Sequence, residues 1–283
     1  MALITDSEIE KIAQKLVENI TEENWEKLRK KAEEMKLPSE YASIPCTSCK
    51  CKCGTYTTCK TFSEISCLCK EFGHNYCQGI INGMREPRRY SNSDCFSGTD
   101  LKNIPNFKVC RLALRLMAND SVSATPTYSI ADVIISILAW GGANIAHGGH
   151  HWRTWIASST TISSLSTVLK NINTTGYNDS NMEDLLKLPG IAISFASKFM
   201  FFYSKKNDSY ILDKFTNENL VNILGFESVY RILGFNNKEG FIYRLNNISR
   251  QIELYKLYNT ILKKMAKVLN LTSGELVEIL LFK

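Results

Sequence analysis

Apolar residues recur at three- and four-residue steps through most of this 283-residue chain, and this pattern constrains the fold class more than any other feature. From about residue 106 onward it predicts one helix after another, joined by short loops, while the alternation typical of strands is nearly absent. The predicted helices cover residues 109–118, 130–140, 152–171 (one or two helices), 184–188, 193–203, 217–224, 227–233, 241–269 and 273–282. We therefore expect an all-α fold.

Three regions of different composition follow one another along the chain. Residues 1–45 form an N-terminal helical segment in which the apolar pattern restarts near Thr21, so that one long helix and two short ones both fit residues 6–36. Residues 46–100 are rich in Cys, Ser, Gly and Asn and have weak periodicity, which predicts an irregular module. Residues 101–283 form the predicted helical domain.

The charge is distributed unevenly between these regions. The chain carries +6 overall, but residues 1–40 carry −3 and the remainder carries +9. A basic body behind an acidic front indicates a nucleic-acid partner better than the total does. The start of the chain turns acidic at Asp6, unlike a secretory signal, and the longest apolar run, near 130–146, includes Asp132. We expect an intracellular, soluble protein that does not bind membranes.

Eight of the ten cysteines fall between residues 46 and 77, and His74 lies among them. Thiolates two or three residues apart, brought together from the two ends of a loop, suit tetrahedral zinc. The candidate ligands are Cys46, Cys49, Cys51, Cys53, Cys59, Cys67, Cys69, His74 and Cys77. They exceed the needs of one ion, so two are conceivable. Disulfides and unliganded thiols are the alternatives to a structural zinc, although an intracellular compartment disfavours disulfides.

The stretch from residue 182 to residue 202 reads MEDLLKLPGIAISFASKFMFF and predicts two helices joined by a tight turn. Pro189 stops the first helix, and Gly190 lets the chain turn without a Cβ. The new helix presents amides and the positive end of its dipole, which together make a phosphate site. Asp213 follows nineteen residues after Ser194, directly behind Ile211 and Leu212.

This arrangement resembles the helix-hairpin-helix DNA glycosylase superfamily. The hairpin of that superfamily reads roughly L-P-G-[IV]-G-x-[KY]-x-A, and an apolar pair with a catalytic Asp follows about twenty residues later. The residues that match are Leu188, Pro189, Gly190, Ile191, Ala196 and Asp213. Ala139-Trp140-Gly141-Gly142 with His147 and Trp155, and the terminal residues 278–282, resemble bacterial proteins with the 8-oxoguanine DNA glycosylase fold. The resemblance covers about residues 106–283.

The resemblance implies an enzyme that flips a base out of double-stranded DNA and excises it without a cofactor. It implies a monomer that binds DNA through the hairpin, at Gly190, Ile191, Ala192, Ser194 and Lys198. If the protein is bacterial, we expect it in the cytoplasm, associated with the nucleoid. The base pocket would include Trp140, His147, His151 and Trp152. Packing is the alternative role for Trp140 and Trp155, because apolar helices surround them.

Two residues depart from the superfamily pattern. Ala192 replaces the second hairpin glycine, and Ser194 replaces the lysine that forms a Schiff base in bifunctional members. Because serine cannot form that adduct, we expect a monofunctional enzyme in which the Asp213 carboxylate stabilises the oxocarbenium ion and orients or deprotonates a water. Lys198, one helical turn after Ser194, fits a phosphate contact, a surface lysine or a substitute nucleophile, and so is a second catalytic candidate.

Several alternatives remain open from the sequence. Asp213 would also fit a helix N-cap before 214–216, a role compatible with catalysis. The excised base is either an oxidised purine, in DNA repair, or a virus-modified base, in antiviral defence. A non-catalytic DNA-binding protein that keeps the hairpin for backbone contacts alone is the alternative of a different class. A bifunctional glycosylase and lyase that uses Lys198 is the third.

Overall fold

The computed structural model describes residues 4–35, 111–126, 128–130, 133, 134, 137, 159–206, 208–212, 214–225 and 247–282. The elements within those ranges are α1 (Asp6–Glu18), α2 (Glu22–Met35), α3 (Arg111–Ser121), α4 (Ser159–Thr175), α5 (Asp179–Lys187), α6 (Ile193–Tyr203), α7 (Lys214–Leu224), α8 (Ile248–Val268) and α9 (Gly274–Phe282). These ranges contain no strand, which confirms the all-α prediction. No helix among them combines the length and the hydropathy that crossing a bilayer requires.

The positions of the helices agree with the periodicity, and their starts agree less well. α6 has the predicted bounds, whereas α5 begins at Asp179, five residues earlier than predicted. The side chain of Asn178 accepts a hydrogen bond from the amide of Asn181 at 2.8 Å and so caps α5 at that earlier point. The helix predicted over 227–233 and the region limits near 45 and 100 lie outside the described residues.

The helix predicted over 130–140 is described at four positions. Ile130, Val133, Ile134 and Ile137 all have helical backbone, and the last three are fully buried. Their spacing is that of one apolar helical face, so the prediction holds wherever it can be compared.

The described residues form two compact units. The first unit contains α1, α2, α7, α8, α9 and residues Ala192–Ser197, and the second contains α3, α4, α5 and the later residues of α6. The N-terminal helices therefore share a unit with the C-terminal helices, far away along the chain.

In the first unit, the acidic N-terminal helix packs against a basic stretch of α8. Lys256 Nζ lies 2.8 Å from an oxygen of Asp6, and Lys264 Nζ lies 2.8 Å from an oxygen of Glu10. α1 ends before Thr21, whose hydroxyl accepts from the amide of Asn24 at 3.3 Å to begin α2. Residues 6–36 thus contain two short helices, one of the two predicted alternatives. α9 packs against α2, α7 and α8.

In the second unit, the end of α6 is fixed by polar contacts. The guanidinium of Arg115 lies 4.1 Å from the centre of the Phe201 ring, a cation–π contact. Asn173 Nδ2 donates to the carbonyl of Tyr203 at 3.0 Å, and the hydroxyls of Tyr203 and Ser121 are 3.3 Å apart. These contacts hold the helix that follows the predicted hairpin.

Candidate functional site

The predicted hairpin contains a tight turn between α5 and α6. The amide of Ile191 donates to the carbonyl of Leu188 at 3.2 Å, and Gly190 has a φ of +80°. A proline at the second position, a left-handed glycine at the third and a bond from the fourth residue to the first are the features of a type II turn. Pro189 presets the first bend, and Gly190 makes the second one accessible without steric strain. The sequence prediction of a sharp turn here is confirmed.

The new helix begins directly after this turn. The carbonyl of Ala192 accepts from the amides of Phe195 at 2.9 Å and Ala196 at 3.0 Å, which makes Ala192 the first acceptor of α6. Pro189 and Gly190 are exposed, Ala192 is half-buried and Ile191 is buried. The exposed part of the hairpin is therefore backbone with small side chains, and a helix start is the position where a phosphate gains most from the dipole.

Ser194 and Lys198 lie one turn apart on α6, and both are buried. Their relative exposures are 8% and 2%, and Lys198 is among the largest fully buried side chains of the described residues. The surface-lysine interpretation of Lys198 is therefore wrong. A phosphate contact and a nucleophilic role for Lys198 both stay predictions.

The catalytic candidate Asp213 lies outside the described residues, and the structure describes the chain on both sides of it. α7 begins at Lys214, the next residue, so Asp213 occupies the sequence position of an N-cap. The base-pocket candidates Trp140, His147, His151 and Trp152 also lie outside the described residues.

The three residues before Asp213 are buried, with relative exposures of 1–3%, and have no regular secondary structure. Each of their backbone amides instead donates to a side-chain oxygen. The pairs are Tyr210 to Asn259 Oδ1 at 3.1 Å, Ile211 to Glu278 Oε2 at 2.9 Å, and Leu212 to Ser197 Oγ at 3.0 Å. Side chains thus supply the acceptors that a helix or sheet supplies elsewhere.

The carbonyls of the same residues are also satisfied by side chains. The donors are the Tyr255 hydroxyl to Tyr210 at 2.8 Å, the Tyr258 hydroxyl to Ile211 at 2.7 Å, the Thr216 hydroxyl to Ile211 at 3.3 Å and the Ser197 hydroxyl to Leu212 at 3.3 Å. We call residues 210–212 with these partners the anchored segment. It fixes the backbone up to the residue before Asp213.

Burial controls the ionisation of two tyrosines in the anchored segment. Removal from water raises the pKa of Tyr210 to about 12, and it raises the pKa of Tyr255 well above its ordinary value. Both phenols therefore stay protonated at neutral pH, so that Tyr255 remains a hydrogen-bond donor to the carbonyl of Tyr210.

Sequence reasoning missed most of the residues that hold the anchored segment. Glu278 is the clearest case, since it is 1% exposed and accepts the amide of Ile211. Its signal was present in the sequence, because a single acid in the apolar run 276–282 must find a buried partner. Asn259, Tyr255, Tyr258 and Ser197 gave no comparable signal.

The nine candidate zinc ligands lie outside the described residues, so their interpretation stays a prediction. Within the residues that the structure describes, no group of three or more His, Cys, Asp or Glu side chains could hold a metal ion.

Comparison with known protein families gives a match that covers more than half of the chain. The family described as "Putative 8-oxoguanine DNA glycosylase OGG-like protein" matches residues 88–282. No curated protein and no solved structure matches the chain. The match covers the hairpin, the anchored segment and Asp213, and it supports a DNA glycosylase with DNA as the bound partner. The chain therefore belongs to the 8-oxoguanine DNA glycosylase OGG-like family.

Proposed function

We propose that this protein is a monofunctional DNA glycosylase that excises a modified or damaged base from double-stranded DNA, with Asp213 as its catalytic carboxylate. The observation that carries the proposal is the anchored segment. Seven hydrogen bonds with side chains, three donated by backbone amides and four accepted by backbone carbonyls, fix three buried, irregular residues that end directly before Asp213. Such rigidity would suit a residue that must hold a carboxylate against a reacting sugar.

The proposed reaction breaks the bond between C1′ of the sugar and the nitrogen of a flipped base. The electron pair of that bond leaves with the base, and positive charge develops on the sugar. The Asp213 carboxylate stabilises this charge and orients a water. The water oxygen then bonds C1′ and loses a proton by way of the carboxylate to solvent, the departing base takes up a proton from solvent, and an abasic site remains in the strand.

Two features of α6 support hydrolysis over strand cleavage through a Schiff base. Ser194 carries no amine, and Lys198 is 2% exposed. An amine attacks only when it is deprotonated and in contact with C1′. Borohydride, added to the enzyme while it processes DNA, tests this point because it reduces a Schiff base to a stable adduct. We expect no trapped adduct, and an adduct that disappears in Lys198→Ala would instead establish the bifunctional alternative.

The base is proposed to be an oxidised purine, with 8-oxoguanine the first candidate because of the family, or a virus-modified base. Duplexes that each carry one such base are incubated with the protein, and the released base is detected by mass. Alkali then reveals abasic sites. We expect strand breaks only after alkali for at least one substrate.

Asp213→Asn is the decisive variant in this assay. We expect it to bind DNA and to lose base release by a factor of about 1000 or more, since the amide carries no charge to stabilise the transition state. Glu218→Gln is the matched control, because it removes an exposed carboxylate from α7, five residues further along the chain, and should retain activity. Full activity in Asp213→Asn would refute the catalytic assignment. DNA binding without base release from any duplex would favour the non-catalytic alternative.

The cysteine-rich module is proposed to hold structural zinc through His74 and the thiolates of the eight cysteines between residues 46 and 77. Metal analysis of protein purified without chelators should find one or two zinc ions per chain. A folded, metal-free preparation would eliminate zinc and leave disulfides or free thiols.

A further inference from the structure

A cleft of about 350 Å³ lies between α2 and α7 in the first unit, above the end of α9. Its apolar lining consists of Leu28, Ile223 and Leu281. Its polar lining consists of three lysines and three asparagines, which are Lys27, Lys30, Lys31, Asn24, Asn219 and Asn222. No carboxylate belongs to the described lining. The glycosylase mechanism proposed above uses none of these residues.

Two of the acids of α2 lie away from the lysines that line the cleft, and a third, Glu23, lies beside them. Asn24, Lys27 and Lys31 follow one another at three- and four-residue steps and line the cleft. Glu22 and Glu26 both pair with Arg29. The acidic N-terminal region therefore places three lysines at this cleft, one of which is paired with Glu23.

Lys27 and Lys31 already contact other groups of the protein, and a phosphate can replace these contacts. Lys27 pairs with Glu23 at 2.6 Å, but the two side chains are 65% and 78% exposed. Exposed pairs of this kind contribute about 0–1 kcal/mol, so a phosphate can compete with the carboxylate. Lys31 Nζ lies 3.4 Å from the carbonyl of Leu280, near the end of α9. This contact gives Lys31 a structural role, and the test must separate that role from phosphate binding.

Two residues that line the cleft lie on α7, the helix that begins directly after the candidate catalytic residue Asp213. Asn219 and Asn222 are five and eight residues after Lys214, which places them about 8 and 12 Å along the helix axis. The nucleotides of one DNA strand are about 3.4 Å apart along the duplex. A strand whose reacting sugar lies at the start of α7 would reach the cleft within a few nucleotides.

We propose that the cleft between α2 and α7 binds phosphate groups of the DNA strand that flank the processed nucleotide. The inference rests on the proposed function for its ligand, duplex DNA, and for the place of the reacting sugar beside Asp213. Lysine ammonium groups neutralise phosphates as point charges, and asparagine amides donate to phosphate oxygens. The N-terminal helices then belong to the DNA-binding surface, not to a separate accessory segment.

The salt dependence of DNA binding tests this site. Each phosphate that a lysine neutralises adds about 0.9 to the slope of log K against log salt concentration. Lys27→Gln/Lys30→Gln/Lys31→Gln should therefore lower the slope by about 2.7 on an undamaged duplex. Between 50 and 200 mM salt, the wild type should lose about 40-fold more affinity than this variant.

The matched control is the triple variant Lys15→Gln/Lys263→Gln/Lys267→Gln, which removes three exposed lysines that do not line the cleft. It should keep the wild-type slope. If the triple cleft variant folds poorly, Lys27→Gln/Lys30→Gln leaves the contact of Lys31 with Leu280 intact and should lower the slope by about 1.8.

The outcomes separate this proposal from the glycosylase proposal, because binding to undamaged DNA needs no base release. An unchanged slope in folded cleft variants, or an equal fall in the control, would overturn the cleft site and leave the glycosylase intact. A lowered slope in a protein that releases no base from any duplex would support phosphate binding at the cleft and favour the non-catalytic DNA-binding protein over the glycosylase. A wild-type chain that does not bind duplex DNA would overturn both.

Discussion

The turn before α6 and the anchored segment before α7 differ in what holds them. At the turn, Pro189 and Gly190 are exposed, and one backbone bond of 3.2 Å, from Ile191 to Leu188, closes it. In the anchored segment the backbone is buried, and every amide and carbonyl is satisfied by a side chain. The turn is determined by the preferences of its own residues, and the anchored segment by residues distant in sequence.

This difference matches what each region would have to do in the proposed function. A turn that meets phosphates needs an accessible backbone, and an exposed turn supplies it. A carboxylate that meets a reacting sugar must be held within a fraction of an ångström, which a buried and fully satisfied backbone favours. Variants in the two regions should therefore affect different measurements, and a shared effect would break the comparison.

The largest effect is expected at Glu278. Glu278→Ala leaves the buried amide of Ile211 without its acceptor and opens a cavity, so we expect a loss of about 3 kcal/mol in the free energy of unfolding. Urea denaturation measures this loss. Among the molecules that stay folded, single-turnover base release should fall while DNA affinity stays within about twofold, because the hairpin is unchanged.

Glu278→Gln is the control for this position. It keeps an oxygen that accepts from Ile211 at nearly the same place, so it should recover most of the lost stability and base release. Equal losses in Glu278→Ala and Glu278→Gln would show that the charge of Glu278 matters and not its hydrogen bond to Ile211, and would refute its anchoring role.

The same difference explains what the sequence could predict. The turn was predictable because Pro189 and Gly190 are adjacent and each has a strong conformational preference of its own. The partners of the anchored segment lie 15 residues away at Ser197 and 67 residues away at Glu278. No local pattern links such pairs, since only tertiary packing in the first unit brings Ser197 of α6 and Glu278 of α9 to the segment.

The charge pattern of the sequence was also limited in what it could predict. The sequence showed an acidic N-terminal region and a basic remainder, which suggested an acidic segment beside a basic body. In the structure, Asp6 and Glu10 meet lysines of α8, and the lysines of α2 line a cleft. Regional totals therefore predicted a nucleic-acid partner but not the surface that would meet it, because helix faces and tertiary pairing decide where each charge lies.

A smaller effect is expected from pH, and it should arise in the anchored segment and not at the turn. The pKa of Tyr210 is about 12 in the folded state and about 10 when unfolded, because burial disfavours the phenolate. Below pH 10 both states hold the proton and stability is unaffected, whereas between pH 10 and 12 only the unfolded state releases it. Tyr210 should therefore remove about 1.4 kcal/mol of stability by pH 11.

Urea denaturation at pH 8 and pH 11 measures this loss, with Tyr210→Phe as the comparison. Phenylalanine cannot ionise, so the variant should lose about 1.4 kcal/mol less than the wild type between the two pH values. An identical pH dependence in both proteins would contradict the burial of this phenol.

The smallest change in stability is expected at the turn itself. Gly190→Ala places a Cβ at a φ of +80°, which should cost about 1 kcal/mol, and Gly190→Asn should cost less because asparagine tolerates the left-handed region. Both variants also add a side chain where the proposed function brings a phosphate close to the backbone. DNA affinity should therefore fall several-fold in both, whereas base release from saturating DNA should remain near the wild-type rate. If Gly190→Asn lowers the rate at saturation as strongly as Glu278→Ala does, then the turn takes part in positioning the reacting sugar, and the division of labour between the two regions is wrong.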